Sequence, residues 1–305
     1  MLGISVVTLA KGRPAHLTNM VLGLMRQTQK PVDLIVARMQ AEPYALPEAP
    51  FPVRQIALAS DPLPLAAARN RAVSKATGEG IVFLDVDCIP APTLVADYAE
   101  RLDALDGLLM GEVLYLPGGA TRGDWTTEAF AAVGEKHSDR RGPPAGDIEI
   151  CTDYRCFWSL NFAMRRATFL ATGGFDEGYT GYGGEDTDFG KTLDQQGVAI
   201  AWVRGARAYH QYHPHHMPPI HHLDSVVRNA ERFEAKWGYR TMGHWLYAFR
   251  RLGLIDDTPG QPIRILRAPD ADDLALTAHE SHLPYTNTAS VIRALDARLA
   301  AAEPA

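Results

Sequence analysis

The chain has 305 residues, 46% of them hydrophobic, enough to bury a large core as one domain or as a domain with an extension. Its 30 Lys and Arg against 36 Asp and Glu leave a net charge of -6, which excludes the basic footprint of a duplex nucleic-acid partner. No apolar run approaches the roughly 20 residues that span a bilayer, and Met1-Leu2-Gly3-Ile4-Ser5 enters a strand without a basic, apolar signal, so the expected site of action is the cytoplasm or the inner face of a membrane.

Residues 4–8 read as a strand, Leu17, Val21, Leu24 and Thr28 mark one face of a helix, and 32–36 form the next strand. Leu65, Ala68, Ala72, Val73 and Ala76 predict a second helix, closing near Gly78 before a strand at 81–84. This alternation over the first 110 residues predicts parallel strands in an α/β fold. The strand at 81–84 is apolar throughout, as a strand buried on both faces must be, and it ends in Asp85-Val86-Asp87. Two carboxylates thus stand where open α/β sheets bind ligands, and period-two geometry sends both to one side. Paired oxygens there suit a hard cation such as Mg2+ or Mn2+ that bridges a diphosphate, although such a triplet also arises by chance in acidic chains.

Residues 108–116 are apolar again, and 117–150 are rich in Gly, Pro and charge around Arg140-Arg141-Gly142-Pro143-Pro144. A surface excursion is expected there, with a mobile loop over the ligand site as the alternative. Cys88, Cys151 and Cys156 are odd in number and lack the second pair of a structural zinc site, which predicts reduced, buried thiols and, for Cys88, a small apolar filler.

The most distinctive stretch is Tyr182-Gly183-Gly184-Glu185-Asp186-Thr187-Asp188. Its glycines permit backbone angles that side chains forbid, and Phe189, Thr192 and Leu193 recur at helical spacing as far as Gly197. Glu185 and Asp186 then occupy a first turn, where the helix dipole keeps a carboxylate ionised and able to act as a base. The alternative is that these acids only cap the helix. After an apolar run at 198–203 comes Ala208-Tyr209-His210-Gln211-Tyr212-His213, in which His210 is the candidate metal ligand, an Asp and His set favouring Mn2+ over Ca2+. Pro214, His215, His216, Pro218, Pro219, His221 and His222 read as a solvated loop or an adventitious metal binder. Val226, Val227, Ala230, Phe233 and Trp237 make an amphipathic helix expected to dock on the main domain, and Val291, Leu295 and Leu299 predict a final helix.

Together these motifs resemble the inverting, family 2 type glycosyltransferases, whose fold is the GT-A nucleotide-diphospho-sugar transferase fold, a Rossmann-like mixed sheet flanked by helices. The likeness runs through Ser5-Val6-Val7-Thr8, Arg13, Ala68-Arg69-Asn70, Ala76, Gly78 and Asp85-Val86-Asp87. Asn161, Gly173-Gly174-Phe175-Asp176, Tyr182 to Asp186 and Ala208 to Gln211 resemble the acceptor-side half of β-1,4-galactosyltransferases and bacterial chondroitin polymerase modules. The resemblance implies a catalytic domain over 1–240, with a donor half to about 116 and an acceptor half at about 150–215, followed by an extension over 241–305. It further implies that Thr8, Arg13, Arg69, Asp85 and Asp87 bind the donor, Asp85 at the nucleoside, and that Asp87 and His210 hold Mn2+ or Mg2+. Asp186 would be the base and Glu185 would hold the acceptor, a carbohydrate or glycolipid hydroxyl. Trp158, Tyr179 and Tyr182 are candidates for an aromatic acceptor platform, whereas Phe157, Phe162, Phe169 and Trp202 are expected in the core. Where relatives of this kind end the second strand in aspartates, this chain has Arg38, so the expectation of a uridine diphosphate sugar rests on the acceptor-side likeness. A retaining transferase, a nucleotidyltransferase and a non-catalytic sugar or metal binder are the competing functions.

Overall fold

The computed structural model describes residues 2–302, with side chains as far as residue 297; Met1 and the Leu299 side chain, both used above, lie outside these. The first half runs β1 (Ile4–Ala10), α1 (Pro14–Met25), β2 (Asp33–Arg38), β3 (Val53–Ala57), α2 (Leu65–Lys75), β4 (Gly80–Leu84), β5 (Cys88–Pro90), α3 (Leu94–Ala104), β6 (Gly107–Met110) and β7 (Val113–Tyr115). Then come α4 (Thr127–Val133), β8 (Glu135–Lys136), β9 (Ile148–Ile150), β10 (Asn161–Arg165), α5 (Arg166–Ala171), α6 (Glu185–Gln195), β11 (Ala199–Val203) and β12 (Ala208–His210). The chain closes with α7 (Leu223–Trp237), α8 (Gly243–Arg251), the short pair β13 (Ile255–Asp256) and β14 (Arg264–Ile265), α9 (Ala271–Thr277) and α10 (Thr288–Ala302).

Eight strands form a mixed sheet in the order β3-β2-β1-β4-β10-β6-β11-β9. β1 to β4 pair in parallel, as the βα alternation predicts, while β10 enters antiparallel between β4 and β6. Successive β1 residues serve opposite faces: Ile4 and Val6 join Leu17, Val21 and Leu102 of α1 and α3, while Val7 and Leu9 join Ala68 and Val73 of α2. Every residue of β4 is buried, so burial on both faces explains its unbroken apolar run. On the second face Phe83 stacks on Phe162 and Phe175 on Phe189, each pair 4.3 Å apart between centroids. Each such buried ring contributes about 1.5–3 kcal/mol, which fastens α6 beneath the sheet and aims its first turn at the strand ends.

The structure corrects several expectations. α1 ends at Met25, short of Thr28, because buried Gln27 turns its amide to the Gly23 and Ala91 carbonyls instead of continuing the helix. Residues 117–150 hold α4, capped by the Thr126 hydroxyl, as well as β8 and β9, the last pairing with β11 as an edge strand. Cys151 and Cys156 form a disulfide instead of reduced, buried thiols: the Asp153 side chain accepts from the Arg155 amide and folds the chain back, bringing the two Cα atoms within 7.0 Å. Cys88 is the free, buried thiol among the described residues.

A second sheet, β5-β12-β7-β8, stands beside the strand ends. In it His210 pairs with Cys88 on one side and Tyr115 on the other, which carries the histidine to the residue next to Asp87. Residues 242–283 pack against α7 and the histidine-rich loop beside this sheet. Leu246, Phe249, Leu254 and Ile263 share an apolar cluster with Val226 and Ala230 of α7, and the segment after α9 lies along the histidine-rich loop. There Met217 donates to the Thr277 carbonyl (2.9 Å), His279 to that of His215 (2.9 Å) and Gly118 to that of Ser281 (2.6 Å). Among the described residues no helix is long and apolar enough to cross a membrane.

Candidate active site

The candidate residues gather at the carboxyl ends of the parallel strands β1 and β4. β4 stops at Leu84 and residues 85–87 form a turn, so the two aspartates face different partners instead of sharing one side of a strand. Asp85 lies 3.9 Å from Arg69, whereas Asp87 turns to Arg13 and two histidines.

Asp87 is 5% exposed. Its Oδ2 accepts from Arg13 Nη1 at 2.6 Å and lies 3.3 Å from His213 Nε2, and its Oδ1 lies 3.4 Å from His210 Nε2. Burial opposes its charge, but His210, His213 and Arg13 outweigh burial and hold the carboxyl far below the usual range. Burial also lowers His210 to about 4 against the pull of Asp87, so its imidazole is neutral and has a lone pair for a cation. Ligand atoms of Asp87, His210 and His213 all lie within 4.8 Å of one another. Asp87 Oδ1 is buried and accepts no hydrogen bond among the described residues, and one carboxylate with two imidazoles is a set that suits Mn2+ better than Mg2+. The sequence names His210 as a ligand and leaves open whether His213 joins it. The only signal for His213 was its spacing from His210, diluted by the histidines that follow.

On the acceptor-like side, Gly183 and Gly184 adopt φ of 90° and 89°, and Gly184 caps α6 in the left-handed region. A Cβ at Gly183 would meet Met242 Sδ at 2.9 Å and the Trp245 ring at 3.1 Å, so residues of the C-terminal segment close over this turn. α6 then presents its acids in three directions. Glu185, 6% exposed, accepts from Arg69 Nη1 at 3.0 Å. Asp186 accepts from the Thr187 amide at 2.7 Å. Asp188, 1% exposed, accepts from Tyr179 Oη (3.1 Å), Lys236 Nζ (2.8 Å) and Trp237 Nε1 (2.7 Å), a structural knot joining α6 to α7.

Burial raises Asp186 to about 6, with the Glu185 charge adding and Arg69 opposing. Desolvation, and not the helix dipole expected to keep a first-turn carboxylate ionised, is therefore the main influence on Asp186. Burial likewise lifts Asp85 to about 8, Arg69 opposing and Asp87 and Glu185 adding.

Arg69 is the joint between the two acidic clusters. It is 5% exposed, and besides Glu185 and Asp85 it donates from Nη2 to Ser159 Oγ at 2.9 Å. Next to it on α2, Asn70 donates to the Phe175 carbonyl and accepts the Phe175 amide at 2.8 and 2.9 Å, which ties the Gly173-Gly174 turn to the helix. Of the remaining candidates, Thr8 is buried in β1 with its hydroxyl unpartnered among the described residues, and Tyr182 is half-buried, stacked on His222 (4.8 Å) and near Trp245 (5.9 Å). Trp158 is half-buried against His137 at 5.2 Å. Tyr179 does not join a platform, because it is buried against Asp188. Phe157, Phe162, Phe169 and Trp202 are in the core.

Residues 41–169 match the family model for glycosyl transferase family 2, and residues 146–216 match that for the N-terminal domain of galactosyltransferase. The validoxylamine A glucosyltransferase of Streptomyces hygroscopicus subsp. jinggangensis is 35% identical over 80 residues, 26% of this chain and 18% of that protein. The chondroitin synthase of Escherichia coli is 29% identical over 184 residues, covering 49% and 25% of the two chains, and the hyaluronan synthase of Pasteurella multocida is 25% identical over 240 residues, covering 70% and 25%. The chain thus spans about a fifth to a quarter of the length of these curated relatives. Among solved structures, GalNAc-T7 with UDP, GalNAc and Mn2+ superposes with a TM-score of 0.52 at 17% identity, over 70% of this chain and 43% of that one, a likeness of fold.

Proposed function

We propose, from the premise that this chain is a family 2 glycosyltransferase of GT-A fold, that it moves a sugar from a nucleotide-diphosphate donor to a carbohydrate hydroxyl in a single, inverting displacement. The observation that carries this is the joining of two acidic clusters through Arg69, one beside a carboxylate and two imidazoles, the other holding a carboxylate raised to about 6. The donor is a uridine diphosphate sugar in this proposal, in line with the UDP bound by GalNAc-T7. The acceptor is a free glycan or one carried on a membrane lipid, met in the cytoplasm.

Asp87, His210 and His213 would hold Mn2+, which when bound supplies Lewis-acid stabilisation of the charge that develops on the leaving diphosphate. Arg13, 38% exposed and at the mouth of the β1–α1 turn, is placed to share that charge from Asp87 to the phosphates. Asp85 and Thr8 line the nucleoside side. Asp186 takes the proton of the attacking hydroxyl, whose own acidity is far too low for it to react unaided at neutral pH. Glu185, fixed by Arg69, accepts a hydrogen bond from the acceptor and orients it, while Tyr182 and Trp158 offer ring faces to the sugars. The domain over 1–240 carries these groups in this proposal, with Trp245 and the segment after α9 contributed by residues 241–305.

Proton NMR of the product formed from an α-linked UDP-sugar with Mn2+ tests the proposal. A β-configured product supports single displacement; an α-configured product, or transfer of the nucleotidyl group, refutes it.

A further inference from the structure

Helix α1 serves the core with Leu17, Met20, Val21 and Leu24. Arg13, His16 and Asn19, spaced by three on another edge, reach the chain around the proposed cation ligands instead. Arg13 Nη1 donates to Asp87 Oδ2 at 2.6 Å, His16 Nε2 to the Tyr212 carbonyl at 3.1 Å, and Asn19 Nδ2 to Gln211 Oε1 at 2.8 Å. Gln211 answers from its own side, its Nε2 donating to the His16 carbonyl at 3.1 Å. It stands between His210 and His213, is 1% exposed, and its backbone amide donates to the Asp87 carbonyl at 2.7 Å. One residue is thus bonded to the carrier of the carboxylate, separates the two imidazoles along the chain, and is clasped by α1.

Neighbours without a choice of role fix the sense of both amides. An indole N–H only donates, so Trp125 Nε1, 3.1 Å away, draws Asn19 Oδ1 towards itself and leaves Asn19 Nδ2 for Gln211. A carbonyl only accepts, so that of His16 draws Gln211 Nε2 towards itself and leaves Oε1 for Asn19. The row Trp125, Asn19, Gln211, His16 therefore runs in one direction, and flipping either amide would break two hydrogen bonds. Trp125 is anchored in its turn, stacked on Phe130 at 5.1 Å with the Arg26 guanidinium 4.2 Å from its centroid. Apolar burial of Leu17 and Val21 presses α1 on the sheet without choosing where along this seam it stops, because that force has no direction. The directed amides supply the register.

We propose that Gln211, oriented by Asn19, is a positioning residue for the cation shell: it holds residues 210–213 against α1 so that the His210 and His213 rings both face Asp87. The two side-chain amides bond to each other, to Trp125 and to His16, and to none of the proposed ligand atoms. They act through the backbone that joins the ligands, and loss of such supporting partners costs about 10–100-fold in cation affinity. The proposal rests on the reading above that Asp87, His210 and His213 take Mn2+.

The test is EPR of the free aquo ion as Mn2+ alone is titrated into wild type, Gln211→Met, Asn19→Leu and the double variant, each scaled to its folded fraction from circular dichroism. Gln211→Met keeps the length of the side chain and loses both of its hydrogen bonds, and should raise the Kd for Mn2+ about tenfold or more. Asn19→Leu leaves Gln211 its bond to His16 and should raise the Kd about threefold or more. The double variant should stay within about twofold of Gln211→Met, because both residues act through one contact. A seam that only stabilised the fold would lower the unfolding midpoint without Mn2+ and leave the Kd of the folded fraction unchanged. A Kd for Gln211→Met within about threefold of wild type, or single losses that multiply in the double variant, overturns the proposal. If Gln211→Met does not fold, Asn19→Leu at its half-buried position decides, and an unchanged Kd there overturns the proposal. Mn2+ binding that Asp87→Ala leaves unchanged refutes the cation site itself and this proposal with it. Binding lost in Asp87→Ala but kept in Gln211→Met refutes the positioning role alone.

Discussion

Replacing Asp186 by Asn removes the proposed base while keeping the Thr187 amide contact that fixes the side chain. The folded carboxyl is raised from 3.8 to about 6, so it binds its proton more tightly than a free aspartate does. It is roughly nine-tenths ionised at pH 7 and roughly one-tenth at pH 5. Activity should therefore hold above pH 6 and fall about tenfold per unit below it, because only the ionised form accepts the hydroxyl proton. Loss of the base should lower kcat by about 10²–10⁴, equivalent to about 3–5 kcal/mol of transition-state stabilisation, and should abolish the acid limb. Glu185→Gln has a different signature: it removes the neighbouring charge that helps raise Asp186, so the limb should move to lower pH whatever happens to its height. Initial rates of UDP release from a UDP-sugar at saturating Mn2+, from pH 4.5 to 8, read both. Rates within threefold of wild type for Asp186→Asn, or an acid limb that persists in it, would refute Asp186 as the base.

Asp87→Ala and His213→Ala should each weaken the Mn2+-dependent part of UDP stabilisation by about tenfold or more in affinity; a thermal shift with UDP and Mn2+ unchanged from wild type removes that residue from the cation shell. Gly183→Ala forces a Cβ against Met242 and Trp245 at a φ of 90° and should cost about 1–3 kcal/mol in denaturant unfolding, with an unaltered midpoint arguing that the turn is not held as described. Asp188→Ala strands Lys236, Trp237 and Tyr179 around a buried position and should destabilise by about 3 kcal/mol or more, whereas a loss below about 0.5 kcal/mol would show the knot to be unimportant.

Local pattern made β4 and its terminal aspartates legible, since a strand buried on both faces has no choice but to be apolar and its carboxyl end is where ligands collect. The glycine pair before α6 and the acids after it were legible for a similar reason: backbone demand and charge preference coincide there. Partner choice was not legible. Arg69, expected on the donor side, lies 3.9 Å from Asp85 and also grips Glu185, a pairing that depends on α2 and α6 meeting on one face of the sheet from 116 residues apart in sequence. His213 could not be told from the histidines after it, because its ring direction is decided by where β12 stops and how the following loop is tethered. Gly181 and Gly183 set Tyr182 apart from Tyr179 in sequence, but the buried Asp188 that holds the Tyr179 hydroxyl is visible only in the fold. β3, partly exposed, and β9, short and mostly exposed, carry no apolar run, so an edge position left no trace in composition.

The ladder between Thr277–Ser281 and the residues around Met217 and Gly118 bears on how this protein is dissected. A chain trimmed at residue 240, the end of the proposed catalytic domain, would strip His215 and Met217 of their backbone partners and free the tract that aims His213 at Asp87. Such a fragment would keep its sheet and lose its grip on the cation, and an inactive minimal domain would then say nothing against the chemistry of the whole chain.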